Sequence, residues 1–241
     1  LRVVISQPMY FPWVGLLEQI RLADVFVFYD DVQLSTGAFH NRVQVKTRNG
    51  TQWLTLPMSK GRLKETLINN AVVDCRVDWR TRQRNILTDA YNKAPFFDDM
   101  ISVFEAVASM QTETLSDITI RSIDVLLEYF NISEHKRIIR SSSLGISGRS
   151  TQRVLDIVLS LGGDEYITGH GAKDYLDHPL FERHGVSVGY MDYRKEIYPQ
   201  LHGEFTPFVS GLDLVANCGA SGERYICSNT VPWRDFVDSR A

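Results

Sequence analysis

Hydrophobic and polar positions change period several times along the chain, and each change marks an element. Residues 1–6 (LRVVIS) are a short, nearly unbroken apolar run of the kind a buried strand shows. Over residues 13–23, apolar Val14, Leu16, Leu17, Ile20 and Leu22 recur among Glu18, Gln19 and Arg21 with helical spacing. Pro12 stands near the start of that helix, where a missing N–H costs least. Residues 25–29 (VFVFY) return to an apolar run. Strand, helix, strand predicts a parallel βαβ unit with a right-handed crossover.

A different pattern follows. Val43, Val45 and Thr47 alternate with Gln44 and Lys46, Arg48-Asn49-Gly50 supplies a turn, and residues 52–56 return, which predicts a β-hairpin. Residues 60–64 read as a loop and 68–73 as a short strand. Helices are predicted over 78–91, with Asp78 as N-cap, then over 96–108 after the break at Pro95, and over 112–130. A second α/β half comes next: a strand at 137–141 and a helix capped by Ser150 or Thr151 and stopped by Gly162-Gly163. A strand at 165–168, a short helix within 174–184 and a strand at 186–191 complete it. Residues 208–219 read as an apolar helix interrupted by Ser210, Asp213 and Asn217, and the last dozen residues as a tail. The fold class is therefore α/β: a Rossmann-like, mostly parallel sheet with a β-hairpin and a helical insertion at about 78–130. A single domain is expected over 1–241.

Composition narrows the class. The chain has 241 residues, 44% hydrophobic and 23% charged, which excludes disordered, collagen-like and coiled-coil chains. No apolar run approaches the ~20 residues of a membrane span, and no signal-peptide pattern opens the chain, so a cytoplasmic protein is expected. A net charge of −3 does not call for nucleic acid. Cys75, Cys218 and Cys227 are odd in number and lack CxxC spacing, which argues against a disulfide framework or a structural zinc.

Candidate chemistry gathers where strands end, because open α/β sheets bind ligands at the carboxyl ends of their strands. After the first strand comes QPMYFPWVG, in which Gln7 donates and accepts, Tyr10 and Trp13 offer rings, and Gly15 permits close approach. After the second come Asp30, Asp31 and Gln33, a carboxylate pair suited to proton transfer or to holding a hydroxyl or amine. His40, Asn41 and Arg42 open the hairpin, and an arginine fork suits phosphate. Ser142 follows the third strand; Thr168, Gly169 and Gly171 follow the fourth, with Tyr175 nearby. Tyr198 and Gln200 lie in a polar-aromatic stretch, and Asp213 and Asn217 share one helix face. Cys218 is a nucleophile candidate with an inert buried thiol as the alternative. GxGxxG, GxxxxGK[ST], GxSxG and HExxH are absent from the sequence.

Taken in order, QPMYFPWVG, ADVFVFYDDVQ, NRVQVKTRNGTQWLTLPM, GGDEYITGHGAKDYLD, the Tyr198-Pro199-Gln200 stretch and SGLDLVANCG resemble the WbqC-like family. The resemblance implies a setting in bacterial surface-polysaccharide (O-antigen) or secondary-metabolite biosynthesis, beside enzymes that make amino sugars. It suggests an acyl or aminoacyl transferase acting on the amine of a nucleotide-linked amino sugar or similar amine. The donor would be a thioester of coenzyme A or of the phosphopantetheine on an acyl or peptidyl carrier protein, with no tightly bound cofactor and no metal. Amine acylation needs a proton acceptor and oxyanion donors. Asp30 or Asp31 is the candidate base or amine anchor, and Gln7, Asn41 and the backbone near Gly169 are the candidate donors. Arg42 is expected on a phosphate and Tyr10 and Tyr175 on a base or sugar. Trp13, Gln33, His40, Ser142, Thr168, Tyr198, Gln200, Asp213 and Asn217 complete the candidate binding set.

Two other readings use the same strand ends. A nucleotide-activating enzyme would share the start of the fold, yet no HxGH turn appears, and Met58-Ser59-Lys60 is the nearest echo of a KMSKS loop. A non-catalytic module that holds a sugar nucleotide or a carrier protein would need no reacting group at all.

Overall fold

The computed structural model describes residues 1–35, 39–59 and 65–239. The 60–64 loop, including Lys60 of the KMSKS echo, lies outside them. A six-stranded sheet carries β1 (Arg2–Ser6), β2 (Val25–Phe28), β5 (Arg137–Arg140), β6 (Glu165–Thr168), β7 (Ser187–Asp192) and β8 (Asn229–Pro232). Its order is β5-β2-β1-β6-β7-β8. All neighbours are parallel except β7 and β8. The chain moves from β1 to one side through β2 and β5, then returns to the other side through β6 and β7. The order therefore reverses between β1 and β6, where open α/β sheets form a crevice.

The apolar runs are buried because the sheet is covered on both faces. Val3, Ile5, Val25 and Val27 face one layer, with Val154, Leu155 and Val158 of α5 (Ser150–Ser160) and Phe181 of α6 (His178–Arg183). The alternate residues Val4, Phe26 and Phe28 face the other layer. That layer holds α1 (Val14–Leu22), α2 (Trp79–Tyr91), α3 (Phe97–Ala108), α4 (Leu115–Tyr129) and α7 (Gly211–Cys218). The hairpin β3 (Arg42–Thr47) and β4 (Gly50–Thr55) is a separate two-stranded sheet that turns Val43, Val45 and Leu54 into the same core. Asp78 caps α2 as expected, accepting from Thr81 N at 3.1 Å.

Three expectations are corrected. Residues 68–73 contain a 3-10 turn, Ile68–Asn70, rather than a strand, and only single bridges join Val72 to Thr114 and Val73 to Met58. Neither Ser150 nor Thr151 caps α5: Arg149 holds the cap position without a side-chain bond, and Thr151 Oγ1 instead donates to the Tyr175 carbonyl at 2.9 Å. The last dozen residues are not a tail. β8 pairs with β7, and α8 (Trp233–Asp238) buries Phe236 in a stack on Tyr190 at 4.2 Å. Their short length hid both elements.

Candidate functional site

A cleft of about 980 Å³ opens over the sheet between the carboxyl ends of β1, β2 and β6. Its first wall is the QPMYFPWVG turn. Phe11, fully buried, is held at φ +37°, outside the usual range for an aromatic residue. Ser122 Oγ accepts from its N–H at 2.8 Å, and its carbonyl accepts from Ser210 Oγ at 2.9 Å. Ser210 also caps α7, accepting from Leu212 N at 3.1 Å. The turn is thus clamped from both ends, and Gln7 and Trp13 face the cleft.

Gly15 does permit a close approach, and what approaches is the Trp13 indole. A Cβ at Gly15 would lie 2.2–2.6 Å from three atoms of that ring. Trp13 therefore folds back over its own helix start, 5.0 Å from the Tyr193 ring and 5.8 Å from Phe208. These three rings form an aromatic wall. Gly169 permits a second crossing: a Cβ there would meet Gln19 Nε2 at 3.1 Å and Tyr193 Oη at 3.2 Å, two groups that hydrogen-bond to each other.

The opposite side carries the charge. Asp31 Oδ1 accepts from Ser141 Oγ at 2.5 Å, and Oδ2 accepts from Arg153 Nη2 at 2.5 Å. The two side chains are 19% and 7% exposed, so this is a shielded ion pair in the wall of the cleft. Arg153 also donates from Nε to the Ile146 carbonyl at 3.0 Å, and its guanidinium lies 5.0 Å from the Tyr29 ring. Gln33, Thr168, Gly169 and Tyr175 line the remaining rim, Tyr175 being 51% exposed. Arg149 and Lys195, both exposed, complete the lining. Among the described residues the cleft holds three cations, Arg149, Arg153 and Lys195, against one carboxylate, Asp31.

The other expected residues do not reach the cleft. Asp30 is 0% exposed and accepts from Ser142 N at 3.1 Å and Ser142 Oγ at 2.9 Å; it holds the 3-10 turn Ser141–Ser143 beside β2, and this occupies Ser142 too. Asn41 donates to the Leu56 carbonyl at 3.0 Å and closes the hairpin. Tyr10 is buried in the helical layer, its hydroxyl donating to Gln83 at 2.8 Å. His40 is buried with Nδ1 3.2 Å from the Pro8 carbonyl, and burial lowers its pKa, which favours a neutral packed ring over a proton shuttle. Arg42 stacks 4.3 Å from the Trp53 ring on the hairpin, away from the cleft. Burial raises the Cys218 thiol, the behaviour of an inert cysteine.

Tyr198, Gln200, Asp213 and Asn217 meet in a different place, a buried polar cluster around Lys46. Lys46 Nζ donates to Gln200 Oε1 at 2.8 Å and to the Glu204 carbonyl. Asn217 Nδ2 donates to Asp213 Oδ2 at 3.1 Å, and Tyr91 Oη donates to Oδ1 at 3.4 Å. Burial lifts the Asp213 carboxyl to about 7, although Lys46 opposes the shift. This cluster ties the hairpin, α2, α7 and the 198–206 loop together, outside the cleft.

Sequence reasoning missed Glu18, Gln19, Tyr29, Arg149, Ser150 and Arg153. Glu18 and Gln19 are the polar positions between the apolar ones of α1, yet they are 2% and 8% exposed. Two adjacent polar residues inside so apolar a helix were the one available signal. Tyr193, Lys195 and Phe208 lie on a loop without periodicity.

The WbqC-like protein family model matches residues 7–225, which takes in the Gln7 turn, the Asp31 strand end and the Gly169 turn. An uncharacterized protein of Mycobacterium tuberculosis, Rv1507c, is 31% identical over 232 residues, covering 93% of this chain and 97% of its own. No solved structure matches. Among the described residues no helix is long and apolar enough to cross a membrane. With the match running through every wall of the cleft, the chain belongs to the WbqC-like protein family.

Proposed function

We propose that the protein transfers an acyl or aminoacyl group from a thioester to the amine of a phosphate-bearing acceptor, such as a nucleotide-linked amino sugar, within this cleft. The observation that carries the reading is the charge of the lining. Three cations face one carboxylate in a chain whose net charge is −3, so the excess of two positive charges (3 − 1) is concentrated here. A concave site of one sign attracts ligands of the other, and a diphosphate or a phosphopantetheine arm supplies that charge. The volume, about 980 Å³, is at the upper end for a small-molecule site and suits a long ligand.

The chemistry assigns roles. The amine nitrogen attacks the thioester carbonyl, its proton passes to Asp31, and the sulfur leaves as a thiolate that takes up a proton. Arg153 and Ser141 hold the Asp31 carboxylate in place. Gln7 and the backbone at Gly169–Gly171, which line the cleft, are assigned the role of oxyanion donors. Arg149 and Lys195 take the phosphates. The test is to offer nucleotide-linked amino sugars with acyl- and aminoacyl-coenzyme A or phosphopantetheine thioesters, and to follow free thiol and N-acylated product by mass spectrometry. Asp31→Asn is expected to lower turnover by about 10²–10⁴-fold. Unchanged turnover in that variant would remove Asp31 from the chemistry. Pyrophosphate released from ATP with a carboxylic acid, and no thiol, would move the reading to nucleotide activation.

A further inference from the structure

Behind the aromatic wall lies a second, much smaller space. Trp13, Gly15, Glu18, Lys195, Glu196 and Phe205 border it, and Trp13 and Lys195 border the cleft as well. Its free volume, about 10 Å³, admits one group the size of a water. Glu18 is 2% exposed, and its Oε2 makes no hydrogen bond among the described residues. A buried carboxylate oxygen without a partner is costly, and a cation or donor that reaches it gains correspondingly. The charged and titratable groups nearby are Lys195, Glu196, Tyr193 and Tyr198, with the Ser228 hydroxyl supporting the carboxyl. The Lys195 Nζ is engaged elsewhere, 4.9 Å from the Phe208 ring centroid. That contact shows the wall receiving an ammonium, as aromatic faces do.

We propose that this space is an ammonium subsite of the cleft, in which Glu18 receives the charged amine of an aminoacyl group. The group transferred is then aminoacyl rather than plain acyl, a consequence that rests on the acyl-transfer reading above; binding of an ammonium at Glu18 does not. The –NH3+ head of a primary ammonium matches a water in size, so the space admits the head with its carbon outside, whereas a quaternary ammonium exceeds it. Burial lifts the Glu18 carboxyl to about 7. The empty subsite is therefore partly protonated near neutral pH, and an arriving cation drives that proton off.

The full chain labelled with carboxyl-¹³C glutamate allows a direct test. The Glu18 resonance is identified by its absence from Glu18→Gln, or from Glu18→Asp should the first variant not fold. Its titration is followed in methylammonium, tetramethylammonium and sodium chloride at equal ionic strength. Methylammonium at twice its Kd is expected to lower the midpoint by about 0.5 unit, the logarithm of a threefold binding factor. Tetramethylammonium is expected to leave the midpoint where sodium chloride does. Equal midpoints in methylammonium and sodium chloride would overturn the subsite, and so would an equal shift from tetramethylammonium. The two readings separate cleanly. A methylammonium shift in a protein that makes no N-acylated product keeps the subsite and removes acyl transfer. Product formed equally from glycyl and acetyl thioesters, with no methylammonium shift, does the reverse.

Discussion

Gly15→Ala tests whether the wall of the cleft is pinned as the structure shows it. The new methyl would lie 2.2, 2.4 and 2.6 Å from three atoms of the Trp13 indole, while ordinary contacts begin at 3.4 Å. The ring must move by at least 1.2 Å (3.4 − 2.2), away from α1 and toward Tyr193 and Phe208, which already lie 5.0 and 5.8 Å from it. Overpacking of this kind costs about 1–3 kcal/mol. Alanine is the better helix former by up to ~1 kcal/mol, so the single variant should lose about 0–2 kcal/mol. In a Trp13→Ala background the clash is gone, and the same change should stabilise by up to ~1 kcal/mol. A double-mutant cycle measured by urea unfolding therefore expects a coupling of about 1–3 kcal/mol between the two positions. In thermal unfolding each kcal/mol corresponds to about 2–4 °C in a chain of this size. Coupling within ~0.5 kcal/mol of zero would show that the indole is not folded over Gly15, and the aromatic wall would fall with it.

Three further outcomes follow from the same geometry. The Glu18 carboxyl is raised from 4.5 to about 7 on folding, so its contribution to stability is full below about 4.5 and is lost as pH rises toward 7; Glu18→Gln should flatten that part of the stability–pH curve, a difference on the order of 3 kcal/mol by chemical unfolding across the range. Arg153→Met leaves the Asp31 carboxylate shielded and unpaired, and should cost about 3–5 kcal/mol in urea unfolding; a loss below ~1 kcal/mol would mean the pair is solvated after all. Phe236→Ala empties the stack on Tyr190 and should cost about 3–5 kcal/mol, where a true tail would lose almost nothing.

Much of the scaffold was legible because its signals are local. VVI and VFVF could only be buried strands, since both of their faces are apolar, and the structure packs Val25 and Val27 on one layer and Phe26 and Phe28 on the other. Arg48-Asn49-Gly50 between alternating runs fixed the hairpin register, with Thr47 opposite Gly50. β8 and α8 escaped because four and six residues carry too little periodicity to read, and their stability comes from pairing with β7.

The site divides in the same way. Strand ends are visible in a sequence, and a parallel sheet brings its strand ends to one edge, so Gln7, Trp13, Asp31, Gln33, Thr168, Gly169 and Tyr175 could be assembled before any coordinates. Direction within that edge is a tertiary matter. Asp30 and Asp31 are neighbours in the chain and both accept from the Ser141–Ser143 turn, yet the first is fully buried there and the second also pairs with Arg153 and lines the cleft. Asp213 and Asn217 share a helix face as their spacing requires, but which face meets Lys46 and which meets a ligand depends on how α7 packs against the hairpin. The sequence alone determined the order of most elements, the parallel character of the sheet and the edge where its strand ends gather. Only the packed structure decided which polar groups hold the fold and which, like Asp31 and Glu18, border a space in the protein.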